Sequence, residues 1–231
     1  MTITSPHNEQ LKQVRKLAGR KWRDKTRTFV AEGEDLIAAA AAAGWRPELL
    51  LCEAGSGLEG EEVAPHLFKQ YSQLGSGTRA LAVYPQRWAD APLGPLCVAL
   101  WGVNDPGNVG TVVRSALAFG AASVALGPGT ADPYGPKAVR ASMGAIFSVP
   151  VVRVRGVDEL PGRRLALAAR EGRALAEVAG SEVTLVVGAE REGLSGAVLA
   201  ECDEVCHIPI RSESLNAAMA ATVAMYEVAR R

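Results

Sequence analysis

Three loops carry residues whose types suit ligand chemistry, and each follows a short apolar run. The first, NDPGNVGTVVR (104–114), holds Asn108 and Arg114 and follows LCVALW (96–101). The second, GAEREGL (188–194), holds Glu190 between Gly188 and Gly193 and follows VTLVV. The third, IPIRSESLN (208–216), holds Ser214 and Asn216 and leads into the last helix. A strand, a glycine turn and a helix form the usual anion- or nucleotide-binding entrance of α/β proteins. Arg114 shares an i,i+4 helical column with Gly110 and Ala118, two very small neighbours, so a ligand is expected to approach it closely. Gly188 and Gly193 suit a backbone that bends sharply or touches a ligand. Glu190 would then face the crevice, while Ser214 or Asn216 equally suits the cap of the last helix.

Other constellations read as less informative. The loop GPGTADPYGPK (127–137) resembles a phosphate loop but lacks the G-K-[ST] ending, which excludes that mode of ATP binding. Cys202, Cys206 and His207 lie close together without an evident fourth ligand, and small core residues are the better reading; no metal is expected. There is no G-x-S-x-G, no H-E-x-x-H and no G-x-G-x-x-G after the first strand.

The elements that must position these loops follow from periodicity. After residue 95, Val/Leu-rich runs at 96–101, 123–127, 149–154, 164–169, 183–188 and 205–210 alternate with helices. Such runs are expected of a parallel sheet covered on both faces. A helix is predicted from about Asn108, with Val109, Val112, Val113, Ala116 and Leu117 on its buried face and Gly120 past its end. A long helix closes the chain at 215–230. Before residue 90, a short strand and then an Ala-rich helix within 28–45, with strands at 47–55 and 79–85, suggest a smaller α/β unit. The proline-rich QRWADAPLGP (86–95) reads as a linker. The predicted division is 1–90 and 96–231.

The 231 residues carry 25 basic and 25 acidic side chains, so a globally basic nucleic-acid binder is excluded. A local patch is not. Lys12, Arg15, Lys16, Arg20, Lys21, Arg23, Lys25 and Arg27 face a single acid, Asp24, within 11–27, with Trp22 among them. That block suits phosphate contacts and base stacking, with a plain solvated helix face as the alternative. No secretory leader and no membrane-length apolar run is seen, and four cysteines suit a reduced, cytoplasmic protein.

Taken together and in order, the three loops resemble the SpoU (TrmH-like) class of SPOUT RNA methyltransferases. The pattern D-P-x-N-x-G-x-x-x-R-x-A is met at Asp105, Pro106, Asn108, Gly110, Arg114 and Ala116. The pattern G-x-E-x-x-G-L is met at Gly188, Glu190, Gly193 and Leu194, and I-P with S-L-N at Ile208, Pro209, Ser214, Leu215 and Asn216. The third segment departs from the family pattern, because its IRSE stretch is short and has no glycine. The segment DPYGPKAVRASMGA (132–145) is also similar, and the resemblance covers 96–231. SPHNEQLKQVRKL and FVAEGEDLI look like that class's substrate-binding domain, with an L30e-like fold.

The resemblance implies a parallel-sheet SPOUT domain with a deep trefoil knot, preceded by the L30e-like domain, and a homodimer through the C-terminal part. It implies S-adenosylmethionine as methyl donor and an RNA ribose 2′-hydroxyl as acceptor. Gly188, Ile208, Ile210 and Leu215, with Leu126 and Gly127, would hold the cofactor. Asn108, Arg114, Glu190, Ser214 and Asn216 would form the catalytic group, with Arg114 gripping a phosphate and Glu190 a candidate proton acceptor. Ribosomal RNA is the expected substrate. Transfer RNA, or a catalytically inactive RNA-binding or assembly factor on the same fold, are the alternatives, and a nucleotide-dependent oxidoreductase is disfavoured by the missing glycine fingerprint.

Overall fold

The computed structural model describes residues 2–72 and 77–230. Two sheets are formed from separate stretches of chain. The first comes from α1 (Glu9–Leu17), α2 (Arg20–Thr26), β1 (Thr28–Glu32), α3 (Glu34–Ala42), β2 (Leu49–Glu53), β3 (Glu61–Val63), α4 (Pro65–Tyr71) and β4 (Ala80–Pro85). Its strand order is β1-β4-β2-β3, antiparallel except for β2 with β3. Leu11, Val14 and Leu17 recur at i, i+3 and i+6, and all three are buried, as their spacing predicts. β3 and α4 have no counterpart among the expected elements.

The second sheet is entirely parallel, with the order β7-β6-β5-β10-β8-β11-β9. Its strands are β5 (Leu96–Leu100), β6 (Ser123–Leu126), β7 (Val151–Arg153), β8 (Arg163–Leu167), β9 (Arg173–Ala174), β10 (Val183–Val187) and β11 (Glu204–His207). The helices are α5 (Pro106–Ala118), α6 (Pro136–Ala141), α7 (Leu175–Val178), α8 (Gly196–Glu201) and α9 (Ala217–Ala229). β5 and β10 are buried at every position, which is why they read as unbroken apolar runs. The chain leaves β5 towards β6 and β7 on one side, while β10, β8 and β11 lie on the other. The β5–β10 boundary is therefore a switch point, where open α/β sheets bind ligands. Leu100 stands beside Val187, so the loops that follow these strands leave the sheet at one level.

Two expectations about α5 need correction. Its N-cap is Asp105, whose carboxylate accepts from Gly107 N at 2.7 Å, with Pro106 at the first helical position. Asn108 therefore lies inside the first turn and its side chain is free for other work. Leu117, expected on the buried face, is 50% exposed. Gly120 follows the helix at φ +70°, the left-handed conformation a C′ glycine supplies.

The 86–95 segment is not an open tether. Ala89 N donates to Val151 O at 2.9 Å, Leu93 N donates to Ser123 Oγ at 2.7 Å, and Trp88 stacks under the Arg153 guanidinium. The two sheets also share one apolar core. Phe29 meets Tyr134 with ring centroids 4.7 Å apart, and Trp45 meets Phe147 at 5.2 Å while its indole N–H donates to Phe147 O at 2.8 Å. Aromatic contact of this kind holds one orientation between the two halves.

Candidate active site

Asn108, Glu190 and Asn216, from the three separate loops, meet in one hydrogen-bonded chain. The Asn216 carbonyl oxygen accepts from the N–H groups of Ala218 and Met219 at 3.0 and 3.3 Å, which caps α9. Asn216 Nδ2 donates to Asn108 Oδ1 at 3.2 Å, and Asn108 Nδ2 donates to Glu190 Oε1. Both ends of this chain fix its polarity. A carboxylate only accepts and a backbone N–H only donates, so each amide has one workable orientation. Polarisation then runs from the start of α9 towards Glu190. Asn216 thus caps α9 through Oδ1 and reaches Asn108 through Nδ2, different atoms of one amide.

Beside this chain lies a cavity of about 350 Å³. Gly188, Ile208, Ile210, Ser214 and Leu215 line it, as does Glu190. The loop after β10 turns back on itself, with Gly193 N donating to Ala189 O at 3.0 Å and Gly193 at φ +64°. This fold-back is why position 188 is glycine: a Cβ there would stand 2.3 Å from the backbone carbon of Gly193. Leu167, Ala168, Ala169 and Glu171 add a wall from the loop after β8. They escaped the sequence reading, although β8 itself was expected and its end lies at the ligand-binding edge of the sheet.

Three expected site residues are placed elsewhere. Leu126 and Gly127 do not line the cavity. Leu126 ends β6 and Gly127 follows it, on the far side of β5 from β10, and Gly127 is packed against the indole of Trp101, which a Cβ would approach to 2.3 Å. Arg114 is exposed and makes no ion pair with any described residue, yet it does not join the Asn108 chain. Six residues along a helix put it about 9 Å further on and about 240° round. Nor does Gly110 leave open space beside it. A Cβ at 110 would stand 2.2 Å from Ala138 O, because α6 lies directly on α5 there.

Of the basic block, Arg15, Lys16, Arg20, Lys21, Lys25 and Arg27 are exposed and Lys12 is half-buried. Lys16 and Lys25 flank the Trp22 ring, 5.0 and 5.2 Å from its centre. Lys12 pairs with Glu9 at 2.7 Å and Arg20 with Asp24 at 3.5 Å. Arg23 must be withdrawn from the surface set. It is 5% exposed, pairs with buried Asp132 at 2.9 Å, and donates to the carbonyls of Leu17 and Ala18 at 2.8 Å. Its charge closes the end of α1 and ties α2 to the second sheet.

Charge elsewhere is placed to support the site. Lys137 Nζ meets Asp105 Oδ1 at 2.8 Å, and that hydrogen bond, with the Gly107 N–H, holds the Asp105 carboxyl below its usual range. The cap of α5 is thereby kept ionised, steadying the turn that carries Asn108. Burial pushes Cys202 up to about 11 and Cys206 up to about 12.

The comparisons agree with one another across the chain. Residues 95–226 match the SpoU rRNA Methylase family, and residues 8–83 match the MRM3-like substrate binding domain. The 23S rRNA (guanosine(2553)-2'-O)-methyltransferase RlmP of Bacillus subtilis is 31% identical over 98% of both chains. The AdoMet-bound rRNA methyltransferase from Sinorhizobium meliloti superposes with a TM-score of 0.89 at 29% identity, over 100% of this chain and 97% of that one. The SpoU methyltransferase AviRb from Streptomyces viridochromogenes, in complex with AdoMet, gives a TM-score of 0.87 at 28% identity, over 97% of this chain and 98% of that one.

Proposed function

The chain belongs to the SpoU rRNA methylase family, and from that premise we propose that it transfers a methyl group from S-adenosylmethionine to the 2′-hydroxyl of a ribose in ribosomal RNA. The observation that carries this reading is the Asn216–Asn108–Glu190 chain beside a glycine-walled cavity. The cavity accepts an adenosyl group on steric grounds. Its volume suits a small cofactor, its wall is apolar at Ile208, Ile210 and Leu215, and Gly188 lets the 189–194 loop fold back closely enough to form part of that wall. Bound there, S-adenosylmethionine supplies an electrophilic methyl group on a sulfonium.

The protein's own residues must then orient a weak nucleophile and take its proton. Glu190 accepts one hydrogen bond from Asn108 and keeps lone pairs for a ribose hydroxyl. Asn108, itself held by Asn216, fixes the carboxylate's position, and positioning supplies much of the rate in a transfer of this kind. Ser214, on the cavity wall, is a further hydroxyl partner. Arg114 is always charged and is suited to gripping a phosphate rather than to removing a proton.

The division of labour falls at about residue 90. The first unit, through the exposed cations around Trp22, would hold RNA phosphates and stack a base. A homodimer completes the reading. Leu117 on α5 and Met219, Val223 and Tyr226 on α9 are 50%, 63%, 42% and 56% exposed, on two helices that pack together through Ser115 and Thr222. A second copy related by a two-fold axis would cover this patch. Arg114 stands one turn before Leu117 and would lie at the same interface. The knot of the SPOUT fold is the matching reading of α9, which returns from β11 near one edge of the sheet to lie against α5 and β10. No helix among the described residues is long and apolar enough to cross a membrane, and we place the protein in the cytoplasm with its RNA.

Incubation with methyl-labelled S-adenosylmethionine and unmodified 23S rRNA tests the function. Label should enter 23S rRNA and not transfer RNA. Label in transfer RNA alone would overturn the ribosomal reading, and none in either would favour an RNA-binding factor.

A further inference from the structure

A second concavity lies between the two sheets, away from the cofactor cavity. This groove, of about 190 Å³, is walled by Val30 and Glu32 of β1, Leu36 of α3, and Lys137, Val139 and Arg140 of α6. Its volume is below the ~300–1,000 Å³ of sites for drug-sized ligands, and it suits one planar ring system. The floor is aliphatic, with Val30, Leu36 and Val139 each largely buried. The rim is cationic. Arg140 is exposed and makes no ion pair with any described residue, whereas Lys137 is paired with Asp105. Glu32, held by Ser72 Oγ at 3.2 Å, sets a carboxylate on the opposite wall.

An apolar slot with a carboxylate inside and a free guanidinium at the mouth orients a nucleotide in one sense. The base enters edge-on towards the carboxylate, which accepts from base N–H groups. The phosphate stays outside on Arg140. The groove is also tied to the reaction centre. Lys137 holds Asp105, the cap of α5, and Asn108 lies in the first turn of that helix. α6 rests on α5 at Gly110 with no room for a Cβ. A nucleotide gripped here is therefore registered against the Asn108–Glu190 chain.

We propose that this groove holds an unpaired base flanking the methylated ribose, with Arg140 on its phosphate, and so acts as a specificity site for the RNA. The inference rests on the RNA-modifying reading above. A duplex base cannot enter, because enzymes that read a base in a pocket must first take it out of the stack.

The test is methyl-resolved NMR of the full-length protein, labelled at valine and leucine. It is titrated with a mixed-sequence single-stranded RNA nonamer, and separately with the same sequence as a perfect duplex, up to saturation of the α1–α2 surface. The single strand should shift the methyls of Val30, Leu36 and Val139, and the duplex should leave them in place. Arg140→Glu should weaken the groove response about tenfold or more, and Arg140→Lys less so, with the folded spectrum otherwise retained. Unmoved groove methyls with both RNAs, or equal shifts with both, would overturn the proposal. The two readings fail separately. Groove shifts without methyl transfer to 23S rRNA would count against the transferase alone, and transfer with a silent groove would count against the groove alone.

Discussion

Replacing Gly188 with alanine puts the steric argument for the cofactor cavity to a direct test. The new Cβ would stand 2.3, 2.5 and 2.6 Å from Gly193 C, Gly193 O and Leu194 N, all backbone atoms that no rotamer change can move. Relief requires the 189–194 loop to retreat about 1 Å, from 2.3 Å to an ordinary contact of 3.4 Å. A gap of that size on one wall forfeits roughly a quarter to a half of each dispersion contact there. Summed over a cofactor wall, the expected loss is about 1.4–2.8 kcal/mol, or about 10- to 100-fold in Kd for S-adenosylmethionine. Most of the fold should survive, since β10 keeps both neighbouring strands. Overpacking of about 1–3 kcal/mol lowers Tm by about 2–4 °C per kcal/mol in a protein of this size. Gly196→Ala is the control, because a Cβ there meets nothing within 4 Å. Calorimetric titration of both variants reads the difference. Unchanged affinity in Gly188→Ala would show that this loop does not wall the cofactor site.

Four further outcomes follow from the same structure. Arg23→Met should cost about 3–5 kcal/mol in denaturant unfolding, because it strands the buried Asp132 carboxylate, and Arg23→Met with Asp132→Asn should recover part of that loss. Arg114→Ala should abolish single-turnover transfer while leaving S-adenosylmethionine affinity nearly unchanged, and Arg114→Lys should recover little; a parallel loss of cofactor binding would move this arginine into the cavity. Asp203 is held down to about 2 by the hydrogen bonds from Arg164, so its contribution to stability is present above its unfolded value near 3.8 and is lost as pH falls through about 2. Denaturant midpoints over that window should fall less steeply in Asp203→Asn than in the wild type. Lys21→Glu should weaken RNA binding and lower the slope of log K against log salt by about one unit for each phosphate no longer neutralised, and an unchanged slope would make the block a solvated surface.

Legibility in the sequence differed from residue to residue for physical reasons. Strands buried on both faces show as apolar runs, so β5, β6, β8 and β10 were readable to within a residue or two. Glycines mark the loops that carry Asn108 and Glu190, whereas Asn216 stands out only as a cap residue at the start of the last helix. Sheet order is not local, and Leu126 and Gly127 were misplaced because a strand end alone does not say which neighbour it has. Partners were equally invisible. Arg23 looks like its basic neighbours until Asp132, 109 residues away, meets it, and Gly110 looks like an opening until α6 covers it. Leu117 fits the apolar face by spacing and is exposed all the same, because spacing along one helix does not say where its neighbours end. The shared core of Phe29, Trp45, Tyr84, Tyr134 and Phe147 also means that deleting residues 1–90 would strip the second sheet of packing. Surface charge changes are therefore the cleaner test of RNA binding.

The position of the transferred methyl group tests the central claim most directly. Unmodified 23S rRNA is incubated with the protein and S-adenosylmethionine, digested to nucleosides, and analysed by tandem mass spectrometry. The Asn216–Asn108–Glu190 chain beside the cavity predicts one nucleoside with its added methyl on the ribose fragment, absent when Asn108→Ala replaces the wild type. A methyl group on the base fragment, or ribose methylation undiminished in Asn108→Ala, would contradict it.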